Sequence, residues 1–491
     1  MMGLSHAPMT RLRLLASALL APVILAAQDS DLAEKMFRSG ERAYAGKAYG
    51  EAFETWNQLI KAAPGGDFAA MALLRMARHQ WEVDKKPEAA LPILDRVKSE
   101  HLKDGFAAEA MLQRGTLLAT LARKPADLRE PIAEFNRVLD LYPDHPAVAE
   151  TRYQLGLAWR DQGSPRKALV QFVEACRQDP SGPIAPKSLL LAAECLDQTG
   201  DLNGCLRLLQ RIRNLAPQSP EAVEAAWRIN LRVKHRIFRP TPRNEGPWPA
   251  GKVKWLKTPT LMAQNAEGEI FLYQDDLGQA FLLRHGELSP VGAKVPGVKA
   301  MFVAPSGVPW LAQPKASLHR DEALGALSIA TVSAPSGMFM DRWGTVWISD
   351  AKNPQLTLLA SDGQARTVPS PALNALAPLP EGAMAASDAN RTLLILDASG
   401  QPKAQVPYGK DMPASFRYVL ALASDPTGNV AGLVEGGDFD GVVVWGPDGA
   451  VLRYATYRAL GISGKFRSLV FDREGGLILA DRSNDLLIRL N

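Results

Sequence analysis

Apolar residues change their period once along this chain. Between residue 31 and about residue 238 they recur three and four apart among Ala, Leu, Glu, Arg and Gln, which predicts amphipathic helices. Beyond Gly251 they gather into short runs separated by Gly, Pro, Asp and Asn, which predicts strands and tight turns. Between the two lies RPTPRNEGPWPA, residues 239–250, whose four prolines exclude a helix or a central strand and predict a linker. The expected fold class is multidomain α plus β, with an all-α solenoid over 31–238 followed by an all-β domain over 251–491.

The helical half carries a ladder, clearest in residues 149–180. Counting Ala149 as one, Leu155, Gly156, Trp159, Gly163, Ala168, Phe172, Ala175 and Pro180 stand at positions 7, 8, 11, 15, 20, 24, 27 and 32. Two antiparallel helices approach closely only where small residues meet, and Gly156, Ala168 and Ala175 supply that contact. Leu155, Trp159 and Phe172 fill the space around it, each worth roughly 1.5–3 kcal/mol when buried. Gly163 suits a turn with positive φ, and Pro180 stops the second helix. This pattern resembles the tetratricopeptide repeat, a helix–turn–helix unit of about 34 residues. The resemblance implies a stack of hairpins and a partner-binding role.

The same ladder predicts about five repeats. Gly40, Ala52, Trp56 and Pro64 mark the first, and Leu74, Trp81, Ala90, Leu94 and Val97 a weaker second. Phe135, Val138 and Pro143 mark a third with an insertion near Arg123–Leu128, and Leu196, Leu209, Ile212 and Pro217 mark the fifth. The helix from Pro220 to Phe238 is expected to cap the stack. The spacing and the phrase YPDHPAVAETRYQLG are similar to repeats of exported Tol-Pal-associated and outer-membrane-assembly lipoproteins. A concave face built from first helices should present Phe37, Glu41 and Tyr44, then Tyr153, Leu157, Arg160 and Asp161, then Lys187, Leu190, Glu194 and Asp197. Its mixed charge and aromatics suit an extended peptide or a helix. Packing of that face on the second domain is the alternative.

The second half repeats on a different ruler. First-turn glycines stand at Gly268, Gly307, Gly344, Gly382, Gly428 and Gly475, spaced 39, 37, 38, 46 and 47. Second-turn glycines follow at Gly286, Gly325, Gly363, Gly400 and Gly449. Nine residues beyond the start of each first turn stand Gln274, Gln313, Asp350, Asp388, Val434 and Asp481; five of these can fasten a turn through side-chain hydrogen bonds. Six units near 40 residues predict a six-bladed β-propeller. The pattern resembles NHL-type propellers. The last unit runs out after three strands, so the stretch from Lys252 to Leu256 is expected to pair with Leu486–Leu490 and close the ring.

Composition adds three points. A formal net charge of +4 over 491 residues gives no argument for nucleic-acid binding. Cys176, Cys195 and Cys205 are too few for a disulfide framework, and buried thiols are preferred over a Cys176–Cys195 bridge. Arg11 and Arg13 precede an apolar run, Leu14 to Ala27, so residues 1–27 read as a secretory signal peptide, with a periplasmic or cell-envelope destination expected. The basic residues Arg228, Arg232, Lys234, Arg236 and Arg239 read as a solvated face.

No nucleophile motif, phosphate loop or metal signature appears, so no catalytic residue, cofactor or metal is assigned. His285 and His319 fall in loops or outer strands, and Asp438 and Asp440 in a hairpin turn. The expectation is an exported, non-catalytic scaffold that binds protein or peptide partners, without nucleic acid or a membrane span in the mature chain. Two alternatives stay open. One is a ligand-binding or metal-dependent lyase- or lactonase-like propeller with the repeats as a docking arm. The other is a cell-wall glycan binder using Trp310, Trp343, Trp347 and Trp445.

Overall fold

A computed structural model describes residues 31–102, 105–249, 253–265, 267–314, 317–319, 326–329, 332–361, 363–412 and 415–491. The signal segment read at 1–27, Lys252 and Gly325 lie outside the described residues. Contacts divide the chain into two compact units, Met1–Ala216 and Pro217–Asn491.

Among the described residues of the first unit, ten helices form five hairpins. They are α1 (31–45) with α2 (Tyr49–Ala62), α3 (Asp67–Glu82) with α4 (Pro87–Glu100), α5 (Gly105–Leu121) with α6 (Arg129–Leu141), α7 (Val148–Asp161) with α8 (Pro165–Gln178), and α9 (Ile184–Gln198) with α10 (Leu202–Leu215). The insertion before α6 is a short 3₁₀ turn, Pro125–Leu128. These are tetratricopeptide-type hairpins, and the small-residue rule holds in atomic detail. A Cβ on Gly156 would lie 2.6 Å from the Phe172 ring, and one on Gly115 would lie 2.6 Å from the Phe135 ring. Gly40 stands in the same relation to Trp56. In these three of the five hairpins a glycine on the first helix makes room for an aromatic on the second, and all three aromatics are fully buried. Gly163 and Gly200 take positive φ (+81° and +86°) in the turns of the last two hairpins. The three cysteines are buried and form no disulfide, as small residues of the packed core.

The second unit opens with α11 (Pro220–Arg232) and a π-helical turn, Val233–Phe238. Six four-stranded antiparallel sheets follow as blades. Their inner strands are Pro259–Gln264, Ala300–Val303, Pro335–Met340, Ala375–Leu379, Phe416–Ser424 and Phe466–Phe471, each at one edge of its sheet. Neighbouring inner strands pack in sequence from blade one to blade six and back to blade one, so the ring is closed. Five of the six ruler glycines sit in the first turns with φ between +72° and +80°. Gly382 instead begins a strand, where a Cβ would collide with the Leu396 carbonyl.

Three expectations are corrected here. The closing strand is Asn244–Pro247, not the stretch from Lys252 to Leu256. It pairs antiparallel with Ile488–Leu490 as the outer edge of blade six, and Asn491 N donates to the Arg243 carbonyl at 3.1 Å. Proline excludes a central strand and tolerates an edge, so the segment read as pure linker could supply this strand. Val253 and Leu256 serve instead as apolar cover for blades one and six. The expected capping helix, α11, belongs by its contacts to the propeller unit. Its basic end is also not a solvated face. Arg236 Nη2 donates to the Thr427 carbonyl at 2.7 Å, Lys234 Nζ donates to the Glu474 carbonyl at 3.3 Å, and Arg232 is buried with Nη1 on the Arg228 carbonyl at 3.1 Å. Blade-turn carbonyls take the Arg236 and Lys234 donors, and the helix's own carbonyl takes that of Arg232, in place of water.

Candidate binding surfaces

The solenoid residues singled out by sequence fall in two places. Tyr153 and Leu157 on α7 are half-buried and share one apolar cluster with Trp159, Leu191 and Leu208 around Phe172 and Cys195. One turn further on, Arg160 Nε donates to Asp161 Oδ1 at 2.8 Å. Burial works against the charge of that guanidinium, yet Asp161, with Glu194 from α9 adding to it, more than offsets this and raises its pKa above the ordinary arginine value. Lys187 is exposed on the first turn of α9. The geometry thus gathers Tyr153, Leu157, Arg160, Asp161 and Glu194 along the first helices of repeats four and five. Tyr44 sits apart in the first hairpin, half-buried against Tyr49, Trp56 and His79, with its hydroxyl 3.1 Å from His79 Nδ1. Phe37 is buried beneath Trp56 and Phe68. The His79 cluster was not legible beforehand, because its members lie on three different helices.

The blade fasteners act as the spacing implied. Asp350 accepts backbone N–H groups from Ser333 (2.7 Å), Ala334 (3.1 Å), Lys352 (2.8 Å) and Asn353 (2.9 Å). Burial opposes its charge, but those four donors win and lower its pKa below the usual carboxylate value. Gln274 accepts from Lys257 N, Asp481 from Lys465 N and Ser483 N, and Asp388 from Val419 N and the Tyr408 hydroxyl. Gln274 and Asp481 thereby pin loops that lead into inner strands, and Asp388 ties the inner strand Phe416–Ser424 itself. Gln313 donates to the Pro296 carbonyl and meets His319 Nε2 at 2.7 Å. Asp440 accepts from Gly436 N at 2.6 Å within the hairpin turn expected there.

The inner strands enclose a channel of about 880 Å³. Among the described residues no three His, Cys, Asp or Glu side chains are gathered as a metal-binding group. Of the four tryptophans proposed as glycan platforms, Trp347 and Trp445 are buried, and Trp347 Nε1 donates to Asp341 at 2.9 Å. Trp310 packs on Phe302. Among the described residues the exposed tryptophan is Trp255, 82% exposed, in the loop before blade one. Its apolar neighbours in sequence disguised it as a strand residue.

No family model matches the chain, and no curated protein matches it in sequence. It is similar in structure to a streptogramin B lyase at 11% identity, covering 51% of this chain and 97% of that one, with a TM-score of 0.36. It is also similar to YrrB, a tetratricopeptide protein with an unusual peptide-binding site, at 15% identity, covering 39% and 90%, with a TM-score of 0.29. MamA is a third, at 16% identity, covering 36% and 95%, with a TM-score of 0.30. The fold assignment rests on this chain's own hairpins and blades. No described helix is long and apolar enough to cross a membrane.

Proposed function

We propose that the chain is a scaffold whose solenoid holds a peptide or protein segment along the first helices of its repeats. The observation that carries this reading is the line of half-buried apolar and charged side chains on α7 and α9, from Tyr153 and Leu157 to Arg160, Asp161 and Glu194. Apolar contacts with a fixed ion pair at one end suit an amphipathic segment, with apolar area for affinity and charge for register. Export through residues 1–27 and work in the cell envelope belong to the same proposal, supported by the basic start and apolar run of that segment. A second module on the same chain would raise the local concentration of whatever the solenoid holds. The test is affinity capture from an envelope fraction with the full chain and with a Tyr153→Ala, Arg160→Ala double variant. Specific partners that disappear with the double variant support the reading. Capture unchanged by both substitutions refutes the groove.

A lyase- or lactonase-like propeller remains the second reading. It would require carboxylate or imidazole ligands converging on the channel, and bound-metal analysis of the purified chain decides it.

A further inference from the structure

The inner strands of four blades slip register at the same place. The ladder shifts between Pro259 and Leu261, Pro335 and Gly337, Val419 and Ala421, and Phe466 and Ser468. The residues left over are Thr260, Ser336, Leu420 and Arg467, and all four line the channel. A bulge bends the strand and re-aims its extra side chain. Four such bulges at equivalent positions therefore shape one mouth of the channel.

That mouth is basic. Inner strands start, and second strands end, at the same end of every blade, as the antiparallel registers require. Lys299 just before an inner strand, Lys352 and Arg482 just after second strands, and bulged Arg467 therefore stand at one end, and all four line the channel. Asp275 is the carboxylate in the lining at this end, and Arg482 Nη2 occupies it at 3.2 Å. The Arg467 side chain is exposed and makes no hydrogen bond to a described residue, and Glu435 and Tyr457 feel its charge. Below this mouth the wall turns apolar through the part-exposed Leu261, Ala263 and Leu422. Polar groups return at the far end with Asn265 and Glu267.

A cationic rim over an apolar shaft fits one chemical class. We propose that the propeller channel is a binding site for an amphipathic carboxylate, with its acid group on Arg467 at the bulged mouth and its hydrocarbon body between the inner strands. Guanidinium pairs with carboxylate through two parallel hydrogen bonds, and Lys299 and Lys352 add favourable charge. The far mouth, bearing Glu267, repels the acid group and sets the direction of entry. This site lies wholly within the propeller unit and is independent of the solenoid reading.

The test uses the full chain with dodecanoate and dodecanol below micelle-forming concentrations, followed by titration calorimetry. Wild type is expected to bind dodecanoate at least about tenfold more tightly than dodecanol, as a hydrogen-bonded charge implies. Arg467→Ala, at an exposed position, should remove that preference while keeping the weaker binding of dodecanol. Ala263→Trp, which fills the shaft, should abolish binding of both. Equal affinity of wild type for the two probes, absence of dodecanoate binding, or a preference that survives Arg467→Ala would each overturn the proposal. Arg467→Ala decides the matter even if Ala263→Trp fails to fold.

Discussion

Glycine does opposite work in the helix pairs of the solenoid and in the first turns of the propeller. Within the helix pairs it is chosen for what it lacks in space: Gly115 and Gly156 leave room for Phe135 and Phe172, in ordinary helical backbone. In the first turns of the blades it is chosen for backbone freedom: Gly344 turns with φ at +75°, and a Cβ there would meet Ser361 only at 3.8 Å. The difference shows how each unit stores its stability. A hairpin solenoid concentrates it in a buried lock between two helices. A propeller spreads it over repeated turns and fasteners, each of modest worth.

Breaking a solenoid lock should therefore have the largest effect. Phe172→Ala empties a fully buried ring site and should cost about 3–5 kcal/mol, read as lost amide-exchange protection in α7 and α8. A propeller fastener comes next. Asp350→Ala strands four backbone N–H groups and should cost about 2–3 kcal/mol by chemical denaturation. Because the folded pKa of Asp350 is lowered, its contribution is present above the unfolded carboxylate pKa and is lost as pH falls through the folded one.

The glycine contrast can be sharpened directly. Gly156→Ala drives a methyl group into Phe172 and should cost about 2 kcal/mol, partly recovered by adding Phe172→Leu. Gly344→Ala has space and only backbone strain to bear, about 1 kcal/mol, and no neighbouring truncation should rescue it. Rescue in both cases, or in neither, would break the distinction.

The smallest effect is a pH dependence confined to the propeller unit. His235 is buried against Phe471 and the turn at Gly475, and burial, reinforced by Arg453 and Lys234, pushes its pKa down to about 3. A folded pKa below the unfolded value means that the unfolded chain takes up the proton first. Stability should fall as pH drops below about 6.5, losing about 1 kcal/mol between about pH 7 and about pH 5.5. His235→Gln should flatten that slope in a melting series across this window.

The sequence made some of this legible for reasons of distance. The hairpin ladder, the blade turns and the Asp350 fastener all act within about one repeat, so spacing alone reports them. The strand Asn244–Pro247 pairs with residues some 240 positions later, and the Arg236–Thr427 bond spans 191 positions, so no local pattern announces either. Composition misled where one rule has two outcomes: proline bars central strands but permits edges, and a basic helix end can meet carbonyls as readily as water. In the candidate sites, helical periodicity brought Tyr153, Leu157, Arg160 and Glu194 to neighbouring helices, whereas the bulges that turn Thr260, Ser336, Leu420 and Arg467 toward the channel are register features with no signature of their own.

The most direct test of the central claim is site-specific photo-crosslinking in cells. A photoreactive phenylalanine analogue replaces Tyr153 on α7 in one chain and the exposed Val170 on α8 in another. The account predicts discrete protein adducts from position 153 and none from position 170. Adducts of equal strength from both positions, or from position 170 alone, would contradict a partner held along the first helices.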